Sequence, residues 1–185
     1  MNGFVLAHGR SGTGWVATAL WECAGLDARH EWMGRRPGPG YGGVEVNSYL
    51  RAWVPELRTR WPSAVLVHLV RDGRDVVRSV MSRHPGPLSF RRRAARWAYL
   101  NRRLMDLPHR FRLEDLTAHY HVFRQLALLL GAKDVDEGRW FRLARQRVNS
   151  TERHTFPAVL DWPPERRADF WDEAGATMTE LGYHG

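Results

Sequence analysis

The sequence predicts an α/β protein in which helices cover both faces of a central parallel sheet. Short apolar segments alternate along the chain with longer amphipathic segments, which is the order typical of parallel strands joined by helices. Residues 4–7 are apolar at consecutive positions, and residues 64–70, A-V-L-V-H-L-V, are apolar on both faces, as strands buried on both faces are. With 185 residues, no internal repeat and no linker, we expect a single three-layer α/β/α domain over residues 1–185.

Four strands and seven helices are predicted from these patterns. The strands are residues 4–7, 26–31, 64–70 and 110–113. The helices have apolar residues at helical spacing and are residues 13–24, 48–60, 72–83, 89–105, 116–130, 136–148 and 163–181. Residues 34–43, rich in glycine and proline, and residues 149–162 are predicted loops.

The composition favours an anionic partner. The formal net charge is +8, and a basic surface attracts nucleotides, nucleic acids or acidic glycans. No run of about 18 apolar residues occurs, so we expect no membrane span. The first residues lack the pattern of a secretory signal, and we expect a cytoplasmic location.

The segment that organises the chain joins the first strand to the first helix. Gly9, Ser11, Gly12, Thr13 and Gly14 form a turn of small residues, in which backbone N–H groups and a helix N-terminus would face an anion. The spacing of the outer glycines matches G-x-x-x-x-G-K-[ST] of nucleotide-binding phosphate loops.

The same segment departs from that pattern at its most important position. Trp15 stands where the pattern has lysine, and the nearby cation is Arg10, inside the loop. The segment therefore predicts a site for a phosphate-like group without the lysine that binds a triphosphate or the hydroxyl that binds magnesium. We expect no metal ion.

A second basic motif follows the strand at residues 64–70. Arg71 comes at the carboxyl end of that strand, where ligands bind in open α/β sheets, and Ser79 lies on the next helix. An arginine and a serine hydroxyl would suit a second phosphate. The alternative is an ion pair between Arg71 and Asp72 in a turn, with Ser79 as a helix surface residue.

Together the two motifs resemble the sulfotransferases that use 3′-phosphoadenosine 5′-phosphosulfate (PAPS). Residues 10–15, R-S-G-T-G-W, match the family's 5′-phosphosulfate loop, and residues 71–79, R-D-G-R-D-V-V-R-S, match its 3′-phosphate motif. Two weaker similarities follow in the family's order, R-L-E-D-L at residues 112–116 and L-G-Y at residues 181–183. The sequence looks like a short, bacterial-type member with a P-loop-like fold.

The resemblance implies an enzyme that transfers a sulfuryl group from PAPS to a hydroxyl or amine and releases adenosine 3′,5′-bisphosphate (PAP). It implies that Arg10 stabilises charge on the oxygen between phosphate and sulfate and that Trp15 stacks on adenine. Leu113 replaces a tyrosine that contacts adenine in many relatives. The residues implied in donor binding are Arg10, Ser11, Gly12, Thr13, Gly14, Trp15, Arg71, Ser79 and, by position alone, Arg153.

The proton of the acceptor would be taken by a base at the end of the second strand. The segment G-L-D-A-R-H-E at residues 25–31 is similar to one in some bacterial relatives, and it offers His30 and Glu31. Histidine titrates near neutral pH, whereas glutamate needs a raised pKa. Because several kinds of relatives use glutamate, we favour Glu31. The alternative is that one residue only hydrogen-bonds the loop and the other pairs with an arginine.

Two other functions are compatible with parts of the sequence. A phosphate-loop kinase or NTPase is disfavoured by Trp15 in the lysine position. A non-catalytic protein that binds a nucleotide or nucleic acid would explain the net charge but not two separated phosphate motifs, and we expect no nucleic-acid partner. The basic helix at residues 89–105 is either a solvated surface or part of the binding surface for an acidic small-molecule or glycan acceptor.

Overall fold

The structure is a computed structural model that describes residues 3–40, 42–83, 88–146 and 155–184. At its centre lies a five-stranded parallel sheet with the strand order β2-β3-β1-β4-β5. The strands are β1 (Gly3–Ala7), β2 (Ala28–His30), β3 (Val44–Asn47), β4 (Val65–Val70) and β5 (His109–Arg112).

Helices cover both faces of the sheet. They are α1 (Thr13–Ala24), α2 (Val54–Arg60), α3 (Gly73–Arg83), α4 (Phe90–Arg102), α5 (Leu113–Ala118), α6 (Tyr120–Leu129), α7 (Glu137–Ala144) and α8 (Pro164–Glu180). Two short 3₁₀ helices, Leu50–Trp53 and Val159–Asp161, lie between them. In the part of the chain that the structure describes, no helix is long and apolar enough to cross a membrane.

The central strand β1 explains why its segment is apolar throughout. Successive side chains of a strand point to opposite faces. Val5 and Ala7 pack in the cluster that contains α1, whereas Phe4 and Leu6 pack in a separate cluster with Leu104, which follows α4. Because protein covers both faces of β1, its side chains are apolar on both faces. The strand therefore lacks the alternation of apolar and polar residues that half-exposed strands have.

The strand order places the two basic motifs at one crevice. From β1 the chain passes through α1 to β2 and β3 on one side of the sheet, and from β4 it passes to β5 on the other side. The carboxyl ends of β1 and β4 are neighbours, since Ala7 pairs with Leu69. Ligands of open α/β sheets bind at such a change of direction.

The predicted fold is confirmed, and so are the four predicted strands within a few residues. One strand escaped prediction. β3 contains Glu45 and Asn47, which interrupt the apolar pattern although both are fully buried. The Asn47 amide donates to Glu45 Oε1 at 2.7 Å, so each polar side chain pairs with its neighbour inside the core.

Two predicted helices differ in detail from those observed. The helix predicted at residues 116–130 is two helices, because His119 has an extended backbone conformation between α5 and α6. The helix predicted at residues 48–60 begins as a 3₁₀ helix, in which Asn47 Oδ1 accepts from the N–H groups of Tyr49 and Leu50. The asparagine therefore both ends β3 and caps the following turn.

Candidate functional site

The loop between β1 and α1 has an unusual backbone. Arg10 has φ of 72°, and Gly12, the N-cap of α1, has φ of 83°. A Cβ atom on Gly12 would lie 2.5 Å from Leu113 Cδ2. Position 12 therefore accepts only glycine without strain, for its left-handed conformation and for the close approach of Leu113.

The loop and the second motif meet at Arg10. Its Nε donates to Ser79 Oγ at 3.0 Å, and the Arg71 Nη1 donates to the Arg10 carbonyl at 3.2 Å. Ser79 is 3% exposed, so it is not a helix surface residue. Asp72 pairs with Arg74 at 2.7 Å rather than with Arg71. The structure therefore does not contain the alternative arrangement, an ion pair between Arg71 and Asp72 with Ser79 on the helix surface.

The charges at this junction favour an anion. Burial lowers the pKa of Arg10, and the neighbouring positive charges of Arg83 and Arg71 lower it further. Arg71 has an acidic partner, Asp75, at 3.3 Å. A phosphate or sulfate group at the loop would relieve the repulsion among these guanidinium groups.

Ser11 and Thr13 complete the loop. Ser11 is fully buried, and its Oγ has no hydrogen-bond partner among the described residues. A buried hydroxyl without a partner is costly, and an anion in the loop would give it one. This feature fits the phosphate expected there. Gly14 is buried at the start of α1, and its carbonyl accepts from Thr18 Oγ1 at 3.0 Å.

His30 and Glu31 both lie at the loop. His30 Nε2 and Thr13 Oγ1 form a hydrogen bond of 2.9 Å, although β2 is the edge strand of the sheet. Glu31 follows β2 with φ of 52°. Among the described residues other than glycine, two have a positive φ, and they are Arg10 and Glu31. Strained backbone is concentrated at functional sites.

Ser48 is a residue of this site that the sequence did not reveal. Its Oγ donates to Glu31 Oε1 at 2.5 Å, and it is placed there by β3. His30 Nε2 and Glu31 Oε1 are 3.8 Å apart. The V-E-V-N-S segment at residues 44–48 is a weak signal for a strand, since its valines alternate with polar residues. The polar side chains of Glu45 and Asn47, however, are buried in the protein.

The two weaker motifs, at residues 112–116 and 181–183, contact the second basic motif and support it. Glu114 Oε1 accepts from the Asp72 N–H at 2.9 Å, and Glu114 Oε2 accepts from the Tyr183 hydroxyl at 2.9 Å. Arg112 pairs with Asp115 at 2.8 Å and donates to the Gly182 carbonyl at 3.0 Å. These residues fix the start of α3 and thus the position of the motif.

The structure places the Trp15 side chain in the core, which differs from its predicted position against adenine. Trp15 is 5% exposed, its ring meets Phe123 edge-on, and its Nε1 donates to the Leu143 carbonyl at 3.3 Å. The ring is covered by protein, so the predicted stacking on adenine does not fit this arrangement. Trp15 instead anchors α1 to the core beneath the loop. Arg153, the remaining predicted donor residue, lies outside the described residues.

Two buried histidines adjoin the site. The pKa of His8 is lowered to about 4, chiefly by burial. The pKa of His68, inside β4, is also lowered to about 4 by burial. His68 Nε2 lies 3.0 Å from Asn101 Oδ1, while the Asn101 amide donates to the Trp97 carbonyl. This fixes the proton of His68 on Nε2 and gives the residue a structural role in the core.

The comparisons with known proteins come from three-dimensional structure. The fold is similar to that of mouse sulfotransferase SULT7A1 complexed with PAP, with a TM-score of 0.59, 13% identity, and coverage of 97% of this chain and 85% of that one. It is also similar to a sulfotransferase from Alicyclobacillus acidocaldarius, with a TM-score of 0.57, 14% identity, and coverage of 100% and 96%. No protein-family model and no curated protein sequence matches.

These similarities establish which fold the chain has. At 13% and 14% identity they concern the arrangement of the sheet and helices rather than the chemistry of individual side chains. The chain has a sulfotransferase-like fold, and its two basic motifs lie together at the carboxyl edge of the sheet.

Proposed function

We propose that the chain is a sulfotransferase that moves a sulfuryl group from PAPS to a hydroxyl or amine of an acceptor. The observation that supports this most directly is the contact of Arg10 with Ser79 and Arg71. It joins the loop proposed to hold the 5′-phosphosulfate to the motif proposed to hold the 3′-phosphate. The likeness of the fold to a sulfotransferase complexed with PAP also supports the proposal.

In this proposal the two ends of the nucleotide are held by different elements. Loop N–H groups, Ser11 and Thr13 bind the 5′-phosphate at the N-terminus of α1, where the helix dipole favours negative charge. Arg71 and Ser79 bind the 3′-phosphate, the arginine through two parallel hydrogen bonds. Arg153 remains a proposed further ligand of that phosphate.

The reaction is an in-line displacement at sulfur. The acceptor oxygen forms a bond to sulfur, and the bond between sulfur and the phosphate oxygen breaks, leaving its electron pair on that oxygen in PAP. Arg10 stabilises the negative charge that develops there, which is where a positioned cation lowers the barrier most. Since the chemistry resembles phosphoryl transfer, positioning and electrostatics do most of the catalysis.

The acceptor loses its proton to a base at the end of β2. We propose Glu31 for this role, with His30 as the second candidate. Glu31 is held by Ser48 in a strained conformation. His30, in contrast, is held by Thr13, so it also orients a loop residue.

A phosphate-loop kinase is the second enzyme class that the glycine spacing of the loop resembles. Trp15 occupies the position of the kinase lysine, and its ring is buried in the core. No cation therefore reaches a triphosphate from that position, and the cation of this loop is Arg10.

Calorimetry with purified protein tests the proposal. We expect PAP to bind in the micromolar range or tighter and ATP with magnesium to bind at least tenfold more weakly. PAPS labelled in the sulfuryl group should then transfer its label to members of a panel of alcohols, phenols, amines and glycans. Preference for ATP with magnesium, or no binding of PAP, would overturn the assignment.

A further inference from the structure

A small cavity lies beside the loop, on the face of the sheet that α4 covers. Its volume is about 90 Å³. Its apolar wall comes mainly from α3, the helix that carries Ser79. The residues that line it are His8, Val76, Val77, Val80, Leu88, Arg93 and Arg96.

The position of the cavity follows from the alternation along β1. Phe4 and Leu6 face the α4 side of the sheet, and His8 continues this alternation beyond the end of the strand. Two residues later the chain reaches Arg10. A molecule in the cavity would thus lie next to the place where the sulfuryl group would be presented.

The rim of the cavity is strongly cationic. Arg96 of α4 is exposed and lines the cavity, and Arg93, from the previous turn, is buried and donates to the Leu88 carbonyl. Arg51 lies close enough to act on His8 together with Arg96. Burial lowers the pKa of Arg51, and the positive charges of Arg96 and Arg103 lower it further.

Arg51 adds positive charge beside the cavity, although it is not one of the residues that line it. The carboxylate whose charge acts on Arg51 is that of Glu31, which already accepts from Ser48. A ligand carboxylate would meet Arg96, the exposed arginine of the lining, because guanidinium groups form strong hydrogen bonds with carboxylates.

The apolar wall limits the size of the ligand. Val76 and Val77 are almost fully buried, and Val80 is partly buried. A cavity of about 150 Å³ holds benzene, so the 90 Å³ here suits a short alkyl chain better than an aromatic ring.

We propose that this cavity binds the acceptor, and that the acceptor is a small aliphatic alcohol bearing a carboxylate. The alkyl part lies against Val76 and Val80, the carboxylate pairs with Arg96, and the hydroxyl is directed to the loop at Arg10. This inference rests on the proposed function, whose site it completes. It also gives the basic helix α4 a role in binding the acceptor.

The test compares three alcohols with the same short carbon chain that differ in charge. ω-Hydroxybutanoate, butanediol and hydroxybutyl trimethylammonium are titrated by calorimetry into the wild-type protein saturated with PAP. We expect the hydroxy acid to bind at least tenfold more tightly than the diol and the cationic alcohol to bind least. Equal affinities, or no binding of the hydroxy acid, would overturn the inference.

Variants assign the preference to the proposed arginine. Arg96→Gln, which changes an exposed side chain, should weaken binding of the hydroxy acid about tenfold and leave the diol unchanged. Arg92→Gln removes the same charge from an exposed position of α4 outside the cavity and is the matched control. Equal losses in Arg92→Gln and Arg96→Gln would show a general charge effect and contradict a defined site.

A titration of wild-type protein with PAP alone separates the two proposals. If PAP does not bind, the proposed function fails, and titration of the three alcohols without PAP still reports the charge preference of the cavity. If PAP binds but the hydroxy acid has no advantage over the diol, the acceptor inference fails and the donor assignment stands.

Discussion

The Nε of Arg10 donates to Ser79 Oγ at 3.0 Å although the two residues are 69 positions apart in the sequence. One residue belongs to the loop after β1, and the other lies on α3 after β4. Because β1 and β4 are neighbours in the sheet, the contact forms at their common carboxyl edge. It makes the two proposed phosphate sites a single unit.

Replacing Ser79 tests the assignment of the 3′-phosphate site. We expect Ser79→Ala to weaken binding of PAP about tenfold, since a hydrogen bond to a charged group is lost. Binding of adenosine 5′-phosphate, which lacks the 3′-phosphate, should change much less. Arg71→Ala should behave in the same way with a larger effect. Calorimetry with both nucleotides gives the comparison, and equal losses for the two ligands would contradict the assignment.

Replacing Arg10 tests the catalytic role of the loop cation. We expect Arg10→Gln to lower the rate constant of sulfuryl transfer by about 10²–10³-fold, the effect of removing one donor to a developing negative charge. The affinity for PAP should fall much less than the rate. Arg10→Lys keeps a cation and is the matched control, with a rate well above that of Arg10→Gln. Parallel loss of rate and PAP affinity would make Arg10 a binding residue only.

Glu31 and His30 can be distinguished by their separate contacts. Glu31→Gln keeps a partner for Ser48 but removes the proposed base, so we expect the transfer rate to fall by about 10²–10⁴-fold with unchanged PAP affinity. His30→Gln should cost less in rate and some PAP affinity, because the contact with Thr13 in the loop is altered. Rates at several pH values and PAP titrations provide the readout. A larger loss of rate in His30→Gln would transfer the role to His30.

Gly12 and Gly25 form a matched pair for the packing of the loop. Both have a positive φ, 83° and 63°, but a Cβ on Gly25 meets no atom within 4 Å, whereas one on Gly12 meets Leu113. We expect Gly25→Ala to cost about 1–2 kcal/mol of unfolding free energy and Gly12→Ala about 1–3 kcal/mol more. Urea denaturation measures both.

The background variant Leu113→Ala removes the atoms that a Cβ at position 12 would meet. In this background the excess cost of Gly12→Ala over Gly25→Ala should disappear. If the excess persists, the close packing of Leu113 against the loop is not its cause.

The buried histidines predict how stability depends on pH. The pKa values of His8 and His68 are lowered from 6.5 to about 4 in the folded state, so the unfolded chain binds more protons between these values. Their contribution is fully present above pH 6.5 and is lost as the pH falls towards 4. Between pH 7 and 5 each histidine should cost about 2 kcal/mol of unfolding free energy.

Urea denaturation at the two pH values tests this in the wild type and in His68→Gln. The variant should lose less stability between pH 7 and 5, by about 2 kcal/mol, whatever its absolute stability. An unchanged pH dependence would show that His68 accepts a proton in the folded state.

Much of the fold could be predicted because its signals are local. β1 is apolar throughout, and β4 is apolar except for His68, because both faces of the sheet are covered. The small residues of the loop mark the start of α1. β3 could not be predicted, because Glu45 and Asn47 are buried only by virtue of their own hydrogen bond and the surrounding strands. The break between α5 and α6 at His119 could not be predicted either, because no glycine or proline marks it in the sequence.

The candidate site divides in the same way. Arg10, Arg71 and Ser79 stand in motifs of defined spacing, so they could be named from the sequence. Ser48 depends on β3 and was therefore missed. The stacking of Trp15 on adenine was implied by the resemblance, but the burial of Trp15 depends on Phe123 and Leu143, which are distant in the sequence. The support that Glu114 and Tyr183 give to the second basic motif depends likewise on contacts between remote segments.

If Arg10 and Glu31 have the proposed catalytic roles, their positive φ angles reduce stability at two positions that activity requires. A residue with a side chain costs about 1–2 kcal/mol in this conformation, whereas glycine adopts it freely. A library selected only for resistance to denaturation should therefore accumulate glycine at positions 10 and 31, and a library selected for sulfuryl transfer should reject it. Engineering this scaffold for heat tolerance would have to exclude these two positions from consensus or strain-relieving changes.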